Sequence, residues 1–232
     1  MQGTLAITSS LRYCARSPRA DVLELRGGYF RMRLITGDGE HRDYLRQKDE
    51  WRRFDADVFD NLNRIPERSV RALESANIIP SALYFDDVIP SDVKPYSLRP
   101  AKRTEWLMAA REKLDSCDLT FLDPDNGIAS ERLKLTQRKA GKSVTLDEIA
   151  DLRKRGRAIV VYHHQTRWPG GHHDEIACLA RRLRDRGLAV TGVLRAKPWS
   201  PRLLFIIDGD RELCEAAEGI AARWQGKISW HA

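Results

Sequence analysis

Two carboxylates, Asp123 and Asp125, close an apolar run at 119–122 and are followed at once by Asn126 and Gly127. A second apolar run, 158–162, ends in His163 and His164. A carboxylate at the end of a strand can orient a nucleophile, ligate a metal or accept the hydrogens of an amino group. An imidazole beside it can exchange a proton near neutrality or complete a metal site. Continuous Val/Ile/Leu/Phe runs are the pattern of parallel strands covered on both faces. In open sheets of that kind ligands sit beyond the carboxyl ends of the strands, so both polar bursts belong on one rim. Successive strand residues point to opposite faces, and only one of His163 and His164 should face that rim.

The same residues have plainer readings. Asp125, Asn126 and Gly127 also suit a tight turn, and the histidines suit hydrogen-bonded edge positions. Downstream, Arg167, Trp168, His172 and His173 surround Gly170-Gly171 before a helical pattern and are candidate substrate contacts. Trp168 has the chemistry to stack on a base or to pack on a sheet. Asp86 and Asp87 follow a short strand pattern at 82–85. Gly141-Lys142-Ser143 lacks the first glycine and the preceding strand of a phosphate loop.

The elements that must position these groups follow from periodicity. Residues 1–20 read as a polar tail, 21–25 and 29–35 as strands, and 37–39 as a turn. The 45–80 segment is helical and divided at Pro66, 90–100 is a proline-rich loop, and 102–114 is an amphipathic helix. Residues 128–144 are basic and irregular, a candidate flap, and Thr145 caps a helix over 146–155. A helix over 174–186, a strand pair at 188–194 and 203–207, a helix over 211–224 and a strand at 227–230 complete the chain. Strand and helix alternation predicts a single α/β domain over 1–232: three-layered and Rossmann-like, with a mostly parallel sheet, helices on both faces and an antiparallel C-terminal strand hairpin.

Among 232 residues, 42% are hydrophobic and 31% charged, an ordinary balance for a globular protein. No apolar run approaches the ~20 residues of a membrane span, and the N-terminus lacks a secretory pattern. Four scattered cysteines then fit reduced thiols in a cytoplasmic protein. The net charge of +7 is concentrated: 131–202 carries +10, against −1 before it and −2 after it. That block points to an anionic partner, nucleic acid first, although Arg181, Arg182, Arg184 and Arg186 equally suit the wet face of a helix. Oligomeric state leaves no mark in the sequence.

Phe121-Leu122-Asp123-Pro124 at a strand end, with the terminal hairpin, resembles the second half of class I methyltransferases, whose amino-methylating branch carries an Asp-Pro-Pro-Tyr type motif there. Asp125 and Asn126 stand here in place of the second proline and the aromatic residue. Residues 121–127, 160–164 with Arg167, and 38–45 more closely resemble a family of uncharacterised bacterial proteins over roughly 30–210. The first resemblance implies S-adenosylmethionine as cofactor, with Asp86 or Asp87 lining its cleft and Asp123 and Asn126 orienting an amino group. The glycine-rich loop of that fold is matched only loosely, by 21–28. Metal-dependent phosphodiester hydrolysis on Asp123, Asp125 and His163 or His164 is the alternative chemistry. A non-catalytic nucleic-acid-binding module is the third reading.

Overall fold

The computed structural model describes residues 5–8, 43–65, 70–79, 81–198 and 200–232. The strands expected at 21–25 and 29–35, the turn at 37–39 and the loose glycine loop at 21–28 lie outside them. The chain divides into two compact units, Arg12–Ile78 and Met1–Leu11 with Ile79–Ala232.

In the first of these, a 3-10 turn at Asp43–Arg46 precedes three short helices, α1 (Lys48–Trp51), α2 (Ala56–Arg64) and α3 (Val70–Ser75). The helical pattern is therefore interrupted before Asp55, and the helix that follows ends at Arg64 with Ile65 extended; Pro66, where the division was expected, lies outside the described residues. Asp55 ends the interruption by accepting the Val58 N–H at 3.0 Å, which satisfies an orphan donor of the first turn. Trp51, Phe59 and Ile65 are buried, and the Arg52 guanidinium grips Asp60 at 2.7–3.1 Å.

The larger unit is an α/β structure with an open mixed sheet and helices. Its strands are β1 (Leu5–Thr8), β2 (Leu83–Phe85), β3 (Leu119–Leu122), β4 (Ala158–His164), β5 (Val190–Ala196), β6 (Arg202–Ile207) and β7 (Ile228–His231). Its helices are α4 (Arg99–Lys113), α5 (Leu146–Asp151), α6 (His172–Arg184) and α7 (Arg211–Arg223). The strand order is β2-β1-β3-β4-β6-β5-β7. Pairings among β2, β1, β3 and β4 are parallel, and those of β6 with β4 and β5 and of β7 with β5 are antiparallel.

The sheet is mixed, with β6 and β7 running against the other five strands. Two expectations change. The β5–β6 hairpin is not at the edge, because β6 inserts between β4 and β5 and β7 adds a further strand. The tail contains β1, which lies between β2 and β3. Only four residues long and followed by Ser9-Ser10, β1 gives too short an apolar run to stand out from polar sequence.

Alternation along the central strands builds a core on each face. Ile159, Val161, Leu203, Phe205 and Ile207 meet Leu107 of α4, Ile149 of α5 and Leu179 and Leu183 of α6. Val160, Leu204 and Ile206, offset by one residue, meet Leu213 and Ala217 of α7. Ile159, Val161, Leu203, Phe205 and Ile207 are fully buried and contribute about 1.5–3 kcal/mol each, so the register of β4 against β6 is firmly specified.

Helix α4 does more than cover the sheet. Pro100 pre-sets its first turn, and Arg99, Arg103, Leu107 and Ala110 form one buried stripe. Arg103 donates to Ala140 O at 2.6 Å and to Ser143 O at 2.5 Å, and forks onto both oxygens of Glu148. Arg99 donates to Thr136 O at 2.7 Å and Val93 O at 3.2 Å. Glu148 also closes a capping box with Thr145 at the start of α5. The 128–144 segment expected as a flap is thus tied down: Ala129 N–H donates to Val144 O at 2.8 Å and Val144 N–H to Gly127 O at 3.1 Å. Removing one partner leaves a buried charge unmatched, so Glu148→Ala is expected to cost about 3–5 kcal/mol in urea denaturation. Thr145→Ala, which loses only a cap, should cost about 1 kcal/mol in the same measurement.

Candidate functional site

β2, β1, β3 and β4 point the same way, so the segments 86–90, 123–127 and 165–168 leave the sheet at one edge. β1 is flanked on one side by β2 and on the other by β3, so the strand order reverses there. Thr8 is the register partner of both Phe85 and Leu122. Asp86 and Asp123 therefore each follow one residue beyond a common level, on either side of β1. With neighbouring strands about 4.8 Å apart, their α-carbons stand roughly 10 Å from each other. Asp86 and Asp123 are half-buried, and Asp87 is exposed.

Two clasps hold the rim. Trp106 of α4 lies 5.5 Å from the Phe85 ring and donates its indole N–H to Asp87 O at 2.7 Å. Residues 124–127 form a turn closed by Gly127 N–H to Pro124 O at 3.0 Å, and the Asn126 N–H donates to Lys142 O at 2.8 Å. The Asn126 side chain is exposed, and the half-buried Asp125 carboxylate lies 3.4 Å from Lys142 Nζ. Pro124 also lines a small pocket with Leu122, Trp106, Leu107, Arg103 and Ile89.

His163 holds the turn from below. It is buried within β4, not beyond it, and its Nδ1 accepts the Ile128 N–H at 3.0 Å. That bond places the ring proton on Nε2, which faces Glu175 Oε1 at 3.4 Å. Glu175 is itself fully buried and accepts from Thr166 N at 2.9 Å, Thr166 Oγ1 at 2.7 Å and Gln165 Nε2 at 3.4 Å. Gly127 has φ +83°, and a β-carbon there would come within 2.5 Å of His163 Cα, so a side chain is excluded at that contact. Both nitrogens of His163 are engaged, which makes it a positioning residue for the Asp123 turn. His164 occupies the opposite face of β4, with Nδ1 3.4 Å from Tyr162 OH. Among the described residues no three His, Cys, Asp or Glu side chains gather as metal ligands, and Asp123, Asp125 and His163 form no such group.

The remaining candidates lie farther along this edge. Arg167 is exposed and Trp168 half-buried, with Trp168 O accepting the Gly171 N–H at 3.0 Å. His172 and His173 open α6. The basic block is dispersed in space. Arg157 is buried and donates to the carbonyls of Cys117, Leu152, Leu114 and Asp115 at 2.8–3.0 Å. Arg182 donates to Ala129 O and pairs with Glu131, Arg186 pairs with Asp147, and Arg153 pairs with Asp208. Arg181 and Arg184 are exposed on α6. Cys117, Cys178 and Cys214 are free thiols. Among the described residues no helix is long and apolar enough to cross a membrane.

Glu175 and Arg103 carry signals that periodicity alone did not draw out. Glu175 shares a helical stripe with Leu179 and Leu183, and Arg103 shares one with Leu107 and Ala110. A charge on an apolar stripe is buried and must be matched, which marks it for a specific partner. No protein-family model, curated protein or solved structure matches the chain significantly.

Burial holds the His163 imidazole below its ordinary value of 6.5, against the opposing pull of Glu175. A group whose folded-state value is depressed contributes its stability in full above the unfolded value. That contribution is lost as pH falls through the folded value. Acidification below about pH 6.5 is therefore expected to lower the urea midpoint. His163→Gln should remove that residue's share of the acid loss, leaving the share of His231, which burial depresses in the same direction. At neutral pH, His163→Ala should cost about 2–4 kcal/mol, from the cavity and the orphaned Ile128 N–H together.

Proposed function

We propose that this chain is Rossmann-like and acts as an S-adenosylmethionine-dependent methyltransferase on an amino group of an anionic substrate, nucleic acid foremost. The observation that carries the reading is the shared register of Asp86 and Asp123 on either side of β1. Open α/β sheets receive nucleotide-like ligands at such a reversal, with a carboxylate after the second strand taking the ribose hydroxyls. Asp86 has the required donor-set chemistry: an acceptor-only side chain suits a diol. The order of β4, β6 and β5, with a reversed strand inserted, adds support to the likeness in the C-terminal half.

S-adenosylmethionine, when bound, supplies an electrophilic methyl group. The chain's own residues do the rest. Asp86 accepts the ribose hydroxyl hydrogens. Asp123 accepts an N–H of the acceptor amine, which orients its lone pair, and a carboxylate oxygen then takes the proton the nitrogen sheds. Asn126 offers both a carbonyl and an NH₂ group to the same substrate. Pro124, which has no N–H, adds no competing backbone donor between them.

Calorimetric titration with S-adenosylhomocysteine tests the cofactor half of this reading. The wild-type protein is expected to bind one equivalent, and Asp86→Asn to weaken binding about 10- to 100-fold, the worth of one or two charge-assisted hydrogen bonds. Asp123→Ala should retain that binding and lose methyl transfer to substrate. Absence of binding by the wild-type protein would refute the assignment and favour a nucleic-acid-binding module that uses the fold alone.

A further inference from the structure

Five groups that carry or can acquire positive charge meet where the first turn of α6 approaches β5 and β7. Arg195 Nη2 lies 2.6 Å from His172 Nδ1, while Arg195 Nε donates to Gln165 Oε1 at 2.9 Å. The rings of His173 and His231 are 5.5 Å apart. Arg195 is the register partner of Ser229, and Val193 that of His231, so Arg195 and His231 share the sheet face that α6 covers. Lys197 follows two residues after Arg195. His173 and Lys197 are exposed, and Arg195 and His231 are half-buried, so solvent reaches the group.

Among the described residues Arg181 and Arg184 also meet no carboxylate; what sets this group apart is that its members are gathered at one place. Arg103, Arg138, Arg153, Lys154, Arg182 and Arg186 each meet a carboxylate. Among the described residues, Arg195, Lys197, His172, His173 and His231 meet none. Of the two acids in the same turn of α6, Glu175 points inward to His163 and Thr166, and the Asp174 carboxylate lies over Gly170. Gathering like charges without a partner is unfavourable. It shows at His231, whose proton affinity is lowered by burial and then by His173, Arg195 and Lys197. An anion seated among them would relieve that repulsion, and the Arg195 N–H groups not taken by Gln165 and His172 can donate to the oxygens of phosphate beside the imidazoles.

We infer that Arg195, Lys197, His173 and His231 form a phosphate-binding subsite. β5 lies three strand positions from β3, so the subsite stands roughly 14 Å along the sheet from the strand that bears Asp123. That spacing suits a phosphodiester of an extended substrate whose reacting group sits at the Asp123 rim. Only this identification of the source rests on the proposed function; the anion site itself does not.

The test follows the imidazole resonances of His173 and His231 in the full chain while inorganic phosphate, or a short single-stranded oligonucleotide, is added. Saturable shifts and an upward move of the His231 titration midpoint are expected, because a bound anion stabilises the imidazolium facing His173 of α6, Arg195 and Lys197 on the β5 side, and Ser229 of β7. The paired variant His173→Asn with Lys197→Gln alters two exposed side chains. It should weaken binding at least about tenfold at unchanged thermal midpoint and unchanged S-adenosylhomocysteine affinity. Tighter binding of the oligonucleotide than of phosphate identifies a polymer backbone as the source, and equal affinity identifies free phosphate. Shifts absent with both probes, or undiminished in the paired variant, would overturn the subsite, whatever the outcome at the cofactor rim.

Discussion

A guanidinium taken out of water must find acceptors for its N–H groups, and the one on Arg103 finds them in a carboxylate and two loop carbonyls. This single requirement fixes much else. Glu148, drawn to Arg103, is also the third residue of the helix it caps, so the start of α5 and the 140–143 backbone are set by one pair. That backbone in turn accepts the Asn126 N–H through Lys142 O, and Val144 donates to Gly127 O. The turn carrying Asp123 and Asp125 is therefore held from outside the sheet by a buried ion pair and from beneath by His163. A buried pair of this kind need not add net stability over an apolar replacement. Its effect here is positional: the acceptors it demands are supplied by the 140–143 backbone and Glu148, which ties that loop to α4.

The two clasps on the rim are chemically different and act on different strands. Trp106 anchors the segment after β2 through an indole N–H to Asp87 O, with its ring against Phe85. His163 anchors the segment after β3 through an acceptor nitrogen, which requires the neutral ring and a proton turned toward Glu175. Between them lies β1, whose neighbours bring Asp86 and Asp123 to one level. The proposed cofactor and acceptor roles rest on that arrangement, not on either carboxylate alone.

The positive charge of the chain divides into three uses. Arg99, Arg103 and Arg157 are internal staples, satisfied by carbonyls or by Glu148. Arg153, Lys154, Arg182 and Arg186 bridge to acids from other elements, and such surface pairs contribute little beyond local order. Arg195 and Lys197, gathered with the histidines of α6 and β7, meet no carboxylate among the described residues, and neither do the exposed Arg167, Arg181 and Arg184. The +10 of residues 131–202 is thus spread in space over internal staples, bridged pairs and separate exposed cations.

The sequence by itself determined the periodic features. Runs of apolar residues located β3, β4, β5 and β6, and the Thr145 cap announced α5, because local propensity and alternation leave their mark residue by residue. It also marked Asp86, Asp123 and the 163–173 segment, because polar groups at the ends of apolar runs stand out in one dimension. The tertiary structure decided strand order, and with it the insertion of β6 beside β4, the place of β1 and the juxtaposition of Asp86 with Asp123. Pairing partners far apart in sequence are chosen by burial of both faces, which no local pattern encodes. It decided as well that His163 and Arg103 face inward and that 128–144 is pinned. The reason is the same in each case: a polar group's role depends on whether a matching donor or acceptor waits where the fold buries it, and Glu175, Ile128 and Ser143 lie between 12 and 40 residues from the groups they satisfy.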